Sequence, residues 1–340
     1  MKYGFSYKGS KNQLASKIFE LFPKRKNFYD LFCGGCAMTH YGMIHGKFER
    51  FIINDINPQC TTLFVDAING KYANETRWIS RDDFFRLKDT EAYVAFCWSF
   101  GNDCMSYIYG RTIEPYKKAC HYAVVFDDWS LIEQLCPEIY VVTKEVLNGI
   151  QGIQKRRLAF GPTVVKELKR RGDWDLIESN PLYKSVKKRN MERLESIQSL
   201  QSLERLERIQ SLERLQSLQS LESLQSLQSL ESLERYSTDY QNIKIDKDSV
   251  IYCDIPYKNT DKYNNMEFDY ERFYAWCERQ TEPLFISSYE MPEDRFVCIA
   301  SFEHRSTLCA TANNKVIEKV FIPKHQAKDY RVPGLLFELQ

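Results

Sequence analysis

Residues 29–36, Tyr29-Asp30-Leu31-Phe32-Cys33-Gly34-Gly35-Cys36, decide the fold class. An apolar, aromatic run meets an acid and then paired glycines, the pattern of a buried strand that turns into a helix while its backbone stays open to a ligand. Working outward, the preceding sequence reads as a helix from Ser10 to Phe22 and a strand from Phe28 to Phe32. The following sequence reads as a helix after Gly35, a strand from Arg50 to Asn54 and a helix after Pro58. Hydrophobic periodicity and a proline at a helix start support these assignments. Strand-helix alternation is the grammar of a parallel α/β sheet. It returns near the other end, with strands expected at Ser249 to Asp254, Leu284 to Ser288, Phe296 to Ser301 and Val316 to Ile322. A doubly wound sheet split by an insertion is therefore expected.

The 340 residues allow two domains, or one domain with a large insertion. Apolar residues at 43% and aromatics at 14% supply a core. A net charge of +1 excludes a global basic field, so any nucleic-acid surface must come from local clustering. Eleven cysteines scattered through a chain with no apolar leader point to a reducing cytoplasm rather than a disulfide framework. Cys33 and Cys36 have zinc-type spacing but no second pair follows, so no metal is expected. No apolar run approaches the roughly 18 residues that span a bilayer, so no membrane insertion is expected.

The middle of the chain is more helical, aromatic and basic. Lys155 to Arg193 holds twelve Lys or Arg against five Asp or Glu. That stretch is a candidate phosphate-facing surface, although Lys166, Lys169, Arg170 and Arg171, or Lys184, Lys187, Lys188 and Arg189, read equally well as solvated helix faces. From Leu194 to Leu233, Leu or Ile then occupies every third position. Three residues advance an α-helix by about 300°, so the apolar stripe winds around it and leaves no fixed buried face. The residues filling the gaps favour helix, and a long, weakly packed helical projection of variable length is expected.

The chemistry concentrates in Ser249-Val250-Ile251-Tyr252-Cys253-Asp254-Ile255-Pro256-Tyr257. A buried strand delivers an acid, then an X-Pro step that holds the chain extended, then an aromatic ring. That order suits a flat base bearing an amine. Asp254 and the carbonyl of Ile255 can each accept an N–H, freeing the nitrogen lone pair, while Tyr257 stacks on the ring. Asp254, Ile255, Pro256 and Tyr257 are the catalytic candidates.

This tetrapeptide resembles the D-P-P-Y motif of amino-group DNA methyltransferases, with Ile255 in place of the first proline. Companion motifs follow in the order used by Dam-like (class alpha, D12 type) DNA N6-adenine methyltransferases. Phe5-Ser6-Tyr7-Lys8-Gly9-Ser10-Lys11 resembles their opening motif. By that resemblance Tyr7 lines the pocket for the methionine end of S-adenosylmethionine, Gly9 admits the backbone, and Lys11 faces the cofactor's carboxylate or a nearby acid; a surface loop before a helix is the alternative. Residues 29–36 look like the family's F-x-G-x-G cofactor motif, with Cys36 replacing its last glycine. Phe32 and Gly34 then border the cofactor, and Asp30 takes its amino group. Asp55 is placed to accept the ribose hydroxyls, although it and Asn57 also suit a helix cap. In Ser237-Thr238-Asp239-Tyr240, Asp239 would accept from the cofactor's adenine amine and Tyr240 would pack on its ring; a helix cap is the alternative. Lys262-Tyr263-Asn264-Asn265 follows the catalytic motif, and Ser287 and Ser288 are candidates for a polar pair beside the target base. Trp98-Ser99-Phe100-Gly101-Asn102 sits where the family begins its target-recognition module, yet its aromatics fit a core better.

The resemblance implies a Rossmann-like S-adenosylmethionine-dependent methyltransferase sheet, largely parallel with one antiparallel strand, carrying an inserted helical DNA-recognition module and the repeat helix. The expected divisions are core residues 1–70, a recognition insertion 71–193, the repeat tract 194–235 and core residues 236–340. Arg111, Lys155, Arg156, Arg157, Lys169, Arg170 and Arg171 are the candidate DNA contacts. The implied activity is methyl transfer from S-adenosylmethionine to the N6 amine of an adenine flipped out of double-stranded DNA. Two alternatives stay open: an RNA or cytosine acceptor, or a DNA-binding protein with a vestigial methyltransferase core. A cytoplasmic monomer is expected; the recognition sequence and any partner nuclease are not legible.

Overall fold

The computed structural model describes residues 3–7, 9–173, 175, 232–257, 268–305, 315–328 and 330. They fall into two units, one drawn from Met1–Asn74, Thr90–Phe96 and Gln216–Gln340, the other from Glu75–Asp89 and Cys97–Leu215. The first unit is built on a sheet of seven described strands: β1 (Asn27–Asp30), β2 (Arg50–Asn54), β3 (Leu233–Tyr236), β4 (Ser249–Asp254), β5 (Leu284–Ser288), β6 (Phe296–Arg305) and β7 (Lys315–Pro323). Their order is β3-β2-β1-β4-β5-β7-β6. The pairs from β3 through β5 are parallel, and β7 runs antiparallel to both β5 and β6. The fold is therefore mixed α/β, consistent with a methyltransferase fold.

The central strands are apolar for most of their length because parallel strands are covered on both faces. Residues Ser249 to Cys253 of β4 and all of β5 are buried. Helices α1 (Ala15–Glu20), α2 (Ala37–His45) and α3 (Pro58–Ile68) belong to this unit, with most of α5 (Ala92–Cys97) and α11 (Tyr270–Cys277). Pro58 opens α3, where its missing N–H costs nothing, and the Asn57 side chain caps it by accepting from the Gln59 amide. Strand order places β2 on one side of β1 and β4 on the other. This topological switch opens a crevice at the carboxyl ends of the three strands, and the reading of residues 29–36 and 249–257 converges there. Asn54 pins the crevice floor: its Nδ2 donates to the carbonyls of Leu31 and Thr238, and its Oδ1 accepts from the Thr238 amide.

Several expectations change at element ends; β6, for one, runs on to Arg305 rather than stopping at Ser301. The first helix begins at Ala15 rather than Ser10. Lys11 and Asn12 are diverted into long-range bonds, Lys11 to Asp254 and Asn12 to the Tyr3 carbonyl. The strand β1 stops at Asp30, where the glycine turn takes over. Leu233, the last leucine of the repeat, is not helical; it starts the edge strand β3 and pairs with Phe51. Arg50 holds this edge in register, donating to Glu234 at 2.6 and 2.9 Å and to Asp246 at 2.6 Å. The rest of the repeat tract up to 231 lies outside the described residues, as do Lys8, Lys184, Lys187, Lys188, Arg189 and residues 262–265.

The second unit is helical, comprising α4 (Arg81–Leu87), α6 (Glu114–Val125), α7 (Ser130–Leu135), α8 (Pro137–Leu147), α9 (Ile153–Phe160) and α10 (Pro162–Arg171). It has its own core, in which Ala123, Trp129, Ile132, Ile139, Val164 and Leu168 are buried together. Trp98, Tyr107 and Tyr109 are likewise buried, as the core reading of that segment expects.

Candidate active site

The N-terminal segment and the glycine turn interlock. The Phe5 amide donates to the Gly35 carbonyl at 2.9 Å, and the Gly4 amide donates to the buried His40 Nδ1 at 2.7 Å. Gly34 has φ +46°, and the Tyr7 ring lies so close that a Cβ there would meet it at 2.8 Å. At Gly35 a Cβ would come within 2.6 Å of the Phe5 carbonyl oxygen. The two glycines are needed because Phe5 and Tyr7 occupy the space a side chain would fill. Cys36, standing where the motif has a third glycine, adopts φ 54° and precedes α2. It and Cys33 are buried thiols, both pushed upward in pKa by burial.

Acids from three strands line this crevice. Asp55, just past β2, accepts the Gly34 amide at 2.9 Å and the Asn57 amide at 2.9 Å, tying the first turn to the start of α3. Burial raises its carboxyl against those two backbone bonds. Asp30 is 1% exposed; the Thr39 hydroxyl donates to it at 2.7 Å. Burial carries Asp30 up to about 7, beyond what the Thr39 bond offsets. Asp254, at the end of β4, receives Lys11 Nζ on both oxygens at 2.7 Å. Burial would lower the Lys11 ammonium, yet Asp254 and Glu318 together hold it above its usual value. Burial in turn raises Asp254 against the opposing pull of Lys11.

Glu318 of β7 completes a cluster that sequence reading missed. It is 1% exposed, with Oε2 3.9 Å from Lys11 Nζ. The Tyr257 hydroxyl donates to its Oε1 at 2.7 Å and also lies 3.2 Å from Asp254 Oδ1. Lys11 Nζ sits 5.0 Å from the centre of the Tyr257 ring, and Tyr289 packs on that ring at 4.2 Å between centroids. Register explains the meeting: Ser287 pairs with both Asp254 and Val320, and antiparallel β7 carries Glu318 beyond that pair toward the carboxyl end of β5. A signal existed, because alternation in a strand puts Glu318 on the same face as the buried Val320 and Ile322.

Ile255 is not a loose substitute for proline. Its side chain is 2% exposed in a core that includes Tyr274, Phe296 and Phe321. The Tyr270 hydroxyl binds the Pro256 carbonyl at 3.0 Å, so packing and a tertiary bond restrain the loop. On the other side of the crevice, Tyr240 is buried with its ring 5.3 Å from Phe32. Asp239 caps the next turn through the Gln241 amide and pairs with Arg272 at 2.8 Å. Ser287 shares a 2.7 Å bond with the Tyr252 hydroxyl, and Ser288 donates to the Glu290 carbonyl.

One narrow cleft of about 30 Å³ is lined by Tyr7, Gly9, Lys11, Asp30, Phe32, Gly34 and Asp254, together with Ser10, Cys33, Gly35, Met38 and Tyr252. It joins the glycine turn to the end of β4. Asp55, Asp239, Tyr240 and Tyr257 border the same strand ends without lining it.

The basic candidates of the helical unit differ in their surroundings. Arg156 binds the Ala123 carbonyl and Asp127. Arg170 pairs with Glu167, and Arg171 with Glu167 and Glu145. Lys155 and Arg111 are exposed, whereas Arg157 and Lys169 are part-buried. No helix among the described residues is long and apolar enough to cross a membrane, and none of their His, Cys, Asp and Glu residues cluster to hold a metal ion.

A largely parallel sheet with its crevice at the switch point, an acid after its second strand and a glycine turn after its first define a mixed α/β protein consistent with a methyltransferase fold. Residues 7–96 match the model of the D12 class N6 adenine-specific DNA methyltransferase family, and the match supports an adenine-specific DNA methyltransferase. No curated protein matches the chain.

Proposed function

We propose that this chain transfers a methyl group from S-adenosylmethionine to the N6 amine of an adenine rotated out of double-stranded DNA. The observation that carries the proposal is the single cleft lined by both Gly34 and Asp254. A cofactor site and a base-activating carboxylate must meet for direct transfer, and these two motifs are more than two hundred residues apart in sequence.

The donor set fits the cofactor. Asp55 offers a carboxylate to ribose hydroxyls, Phe32 and Tyr240 offer aromatic faces to the adenine ring, Asp30 takes the amino group, and Tyr7 and Gly9 enclose the methionine end. Asp239 serves the cofactor's adenine amine. When bound, the cofactor supplies an electrophilic methyl on a sulfonium. The Tyr7 ring, seated against Gly34 and Gly35, forms one wall of that cleft.

On the acceptor side, Asp254 and the Ile255 carbonyl accept the amine's two N–H groups and aim its lone pair. The Asp254 carboxylate retains acceptor capacity beside Lys11, because two oxygens carry about four lone-pair sites. Pro256 holds the loop extended and Tyr257 presents its face to the base. The helical unit is proposed as a DNA-recognition module inserted at 71–193, with Arg111, Lys155, Arg156, Arg157, Lys169, Arg170 and Arg171 facing phosphates. Arg170 and Arg171 can exchange their exposed acidic partners for phosphate at small cost, since surface ion pairs contribute little.

The test is tritiated methyl transfer by the full chain to three polymers: duplex DNA containing adenine, an adenine-free duplex of guanine and cytosine, and adenine-containing RNA. Label on N6-methyladenine of the duplex is the expected result. Label on RNA or cytosine instead moves the acceptor, and binding of cofactor and DNA without transfer supports a vestigial core.

A further inference from the structure

The Tyr257 hydroxyl stands between the buried carboxylate of Glu318 and the part-buried one of Asp254, 2.7 Å from Glu318 Oε1 and 3.2 Å from Asp254 Oδ1. It has one proton to donate. Either that proton is split between the two acids, or one carboxyl is itself protonated and donates to the tyrosine oxygen, which makes both contacts full hydrogen bonds. One ammonium, Lys11, faces both acids, bonded to Asp254 at 2.7 Å and 3.9 Å from Glu318. Two ionised carboxylates beside a single cation leave one negative charge uncompensated in a site where Lys11 and Glu318 are buried and Asp254 is part-buried, which favours retention of a proton. We propose that Asp254, Tyr257 and Glu318 form a proton path, with Glu318 as the terminal acceptor of the proton that the adenine amine must lose.

This inference rests on the proposed methyl transfer and adds what transfer requires. As the nitrogen lone pair forms the new N–C bond, the C–S bond breaks and its electron pair stays on sulfur, which loses its positive charge. The nitrogen then carries the charge and one proton too many. That proton passes to the Asp254 carboxylate, Asp254 passes one to the Tyr257 oxygen, and the Tyr257 proton moves to Glu318. The cluster ends with neutral Glu318, which returns its proton to water after the base leaves. Glu318 acts through Tyr257 and is a positioning residue for the proton. Burial carries its carboxyl up to about 7, so the proton retained by the resting cluster is released above that pH, and the ionised Glu318 of that form is the acceptor. The titratable groups that face it are Lys11 from the N-terminal segment, Asp254, Tyr252 and Tyr257 from β4 and its loop, and Tyr289 after β5. Phe302 of β6 is its cross-strand neighbour. Because the carboxylates titrate together, the pH response belongs to the pair.

Two readouts on the full chain test it. Infrared titration without cofactor or DNA should reveal a protonated-carboxyl band that bleaches as pH rises through about 7; the band should be absent in Glu318→Gln and displaced in Tyr257→Phe. If no carboxyl titrates there, or the band survives in Glu318→Gln, the shared proton is refuted whether or not the protein is a methyltransferase. In the kinetic arm, kcat/KM for DNA should rise with pH through the same region. Glu318→Gln should lose that limb and fall roughly 10²-fold with cofactor affinity kept, and Glu318→Asp should restore part of the limb. A Glu318→Gln enzyme with the wild-type rate and profile overturns the acceptor role. Should Glu318→Gln not fold, Tyr257→Phe decides, since it interrupts the same path: a retained limb refutes the proposal and a lost one supports it.

Discussion

Asp30 shows how far the site departs from what stability alone would favour. Its carboxyl moves from 3.8 to about 7, chiefly because it is buried beside β1 and α2 with Asp254 and Asp55 nearby. An acid raised in this way contributes its full stability below the unfolded value and loses it as pH climbs toward the folded value. Asp30→Asn should therefore stabilise the protein against urea by roughly 1–3 kcal/mol at pH 8, with a smaller gain at pH 5. It should also weaken cofactor binding measured by calorimetry. Equal gains at both pH values contradict the burial account. Lys11→Ala should behave in the opposite sense, leaving Asp254 and Glu318 buried without their cation. A loss of about 3–5 kcal/mol at pH 8 is expected, smaller at pH 5 because the acids can then take up protons. A pH-independent loss in the same denaturation series contradicts it.

The glycine turn is the element that the proposed cofactor site depends on. Gly35→Ala places a methyl 2.6 Å from the Phe5 carbonyl and 2.7 Å from the Tyr7 Cβ. It should cost roughly 1–3 kcal/mol by overpacking and reduce cofactor affinity at least about tenfold, the equivalent of some 1.4 kcal/mol. Unchanged affinity by calorimetry would show that Phe5 and Tyr7 do not shape the pocket. Such elements were legible in sequence to different degrees. The bounds of β2, β4 and β5 follow from apolar runs ended by polar turn residues. The start of α1 was misread because residues 10–14 have helical composition, and only tertiary bonds of Lys11 and Asn12 show why they turn instead. Leu233 was assigned to the repeat by its spacing, since nothing local distinguishes a leucine that ends a tract from one that pairs with Phe51. Asp254 and Tyr257 stood out because an acid-x-Pro-Tyr turn ends a buried strand. Glu318 was passed over although its place in an alternating strand put it on the buried face, because its partners lie over sixty residues away or more.

At the scale of the whole molecule, a sheet interrupted after its first half keeps its register through local anchors. Arg50 with Glu234 and Asp246, and Asn54 with Thr238, fasten β3 and the loop after it to β2. Excising whole three-residue units between Leu194 and Leu230 should therefore leave the melting temperature within a few degrees of the intact chain, since Leu233 still meets Phe51. A collapse in melting temperature assigns the repeats a part in the core. In the proposed reaction Asp254 activates an adenine amine beside the cofactor turn. Its most direct test is to map modified bases in DNA from cells expressing the chain, alongside cells expressing Asp254→Ala. The expected result is N6-methyladenine at a defined sequence context in the first and none in the second. Methylation that persists in Asp254→Ala, or its absence from both, contradicts the claim.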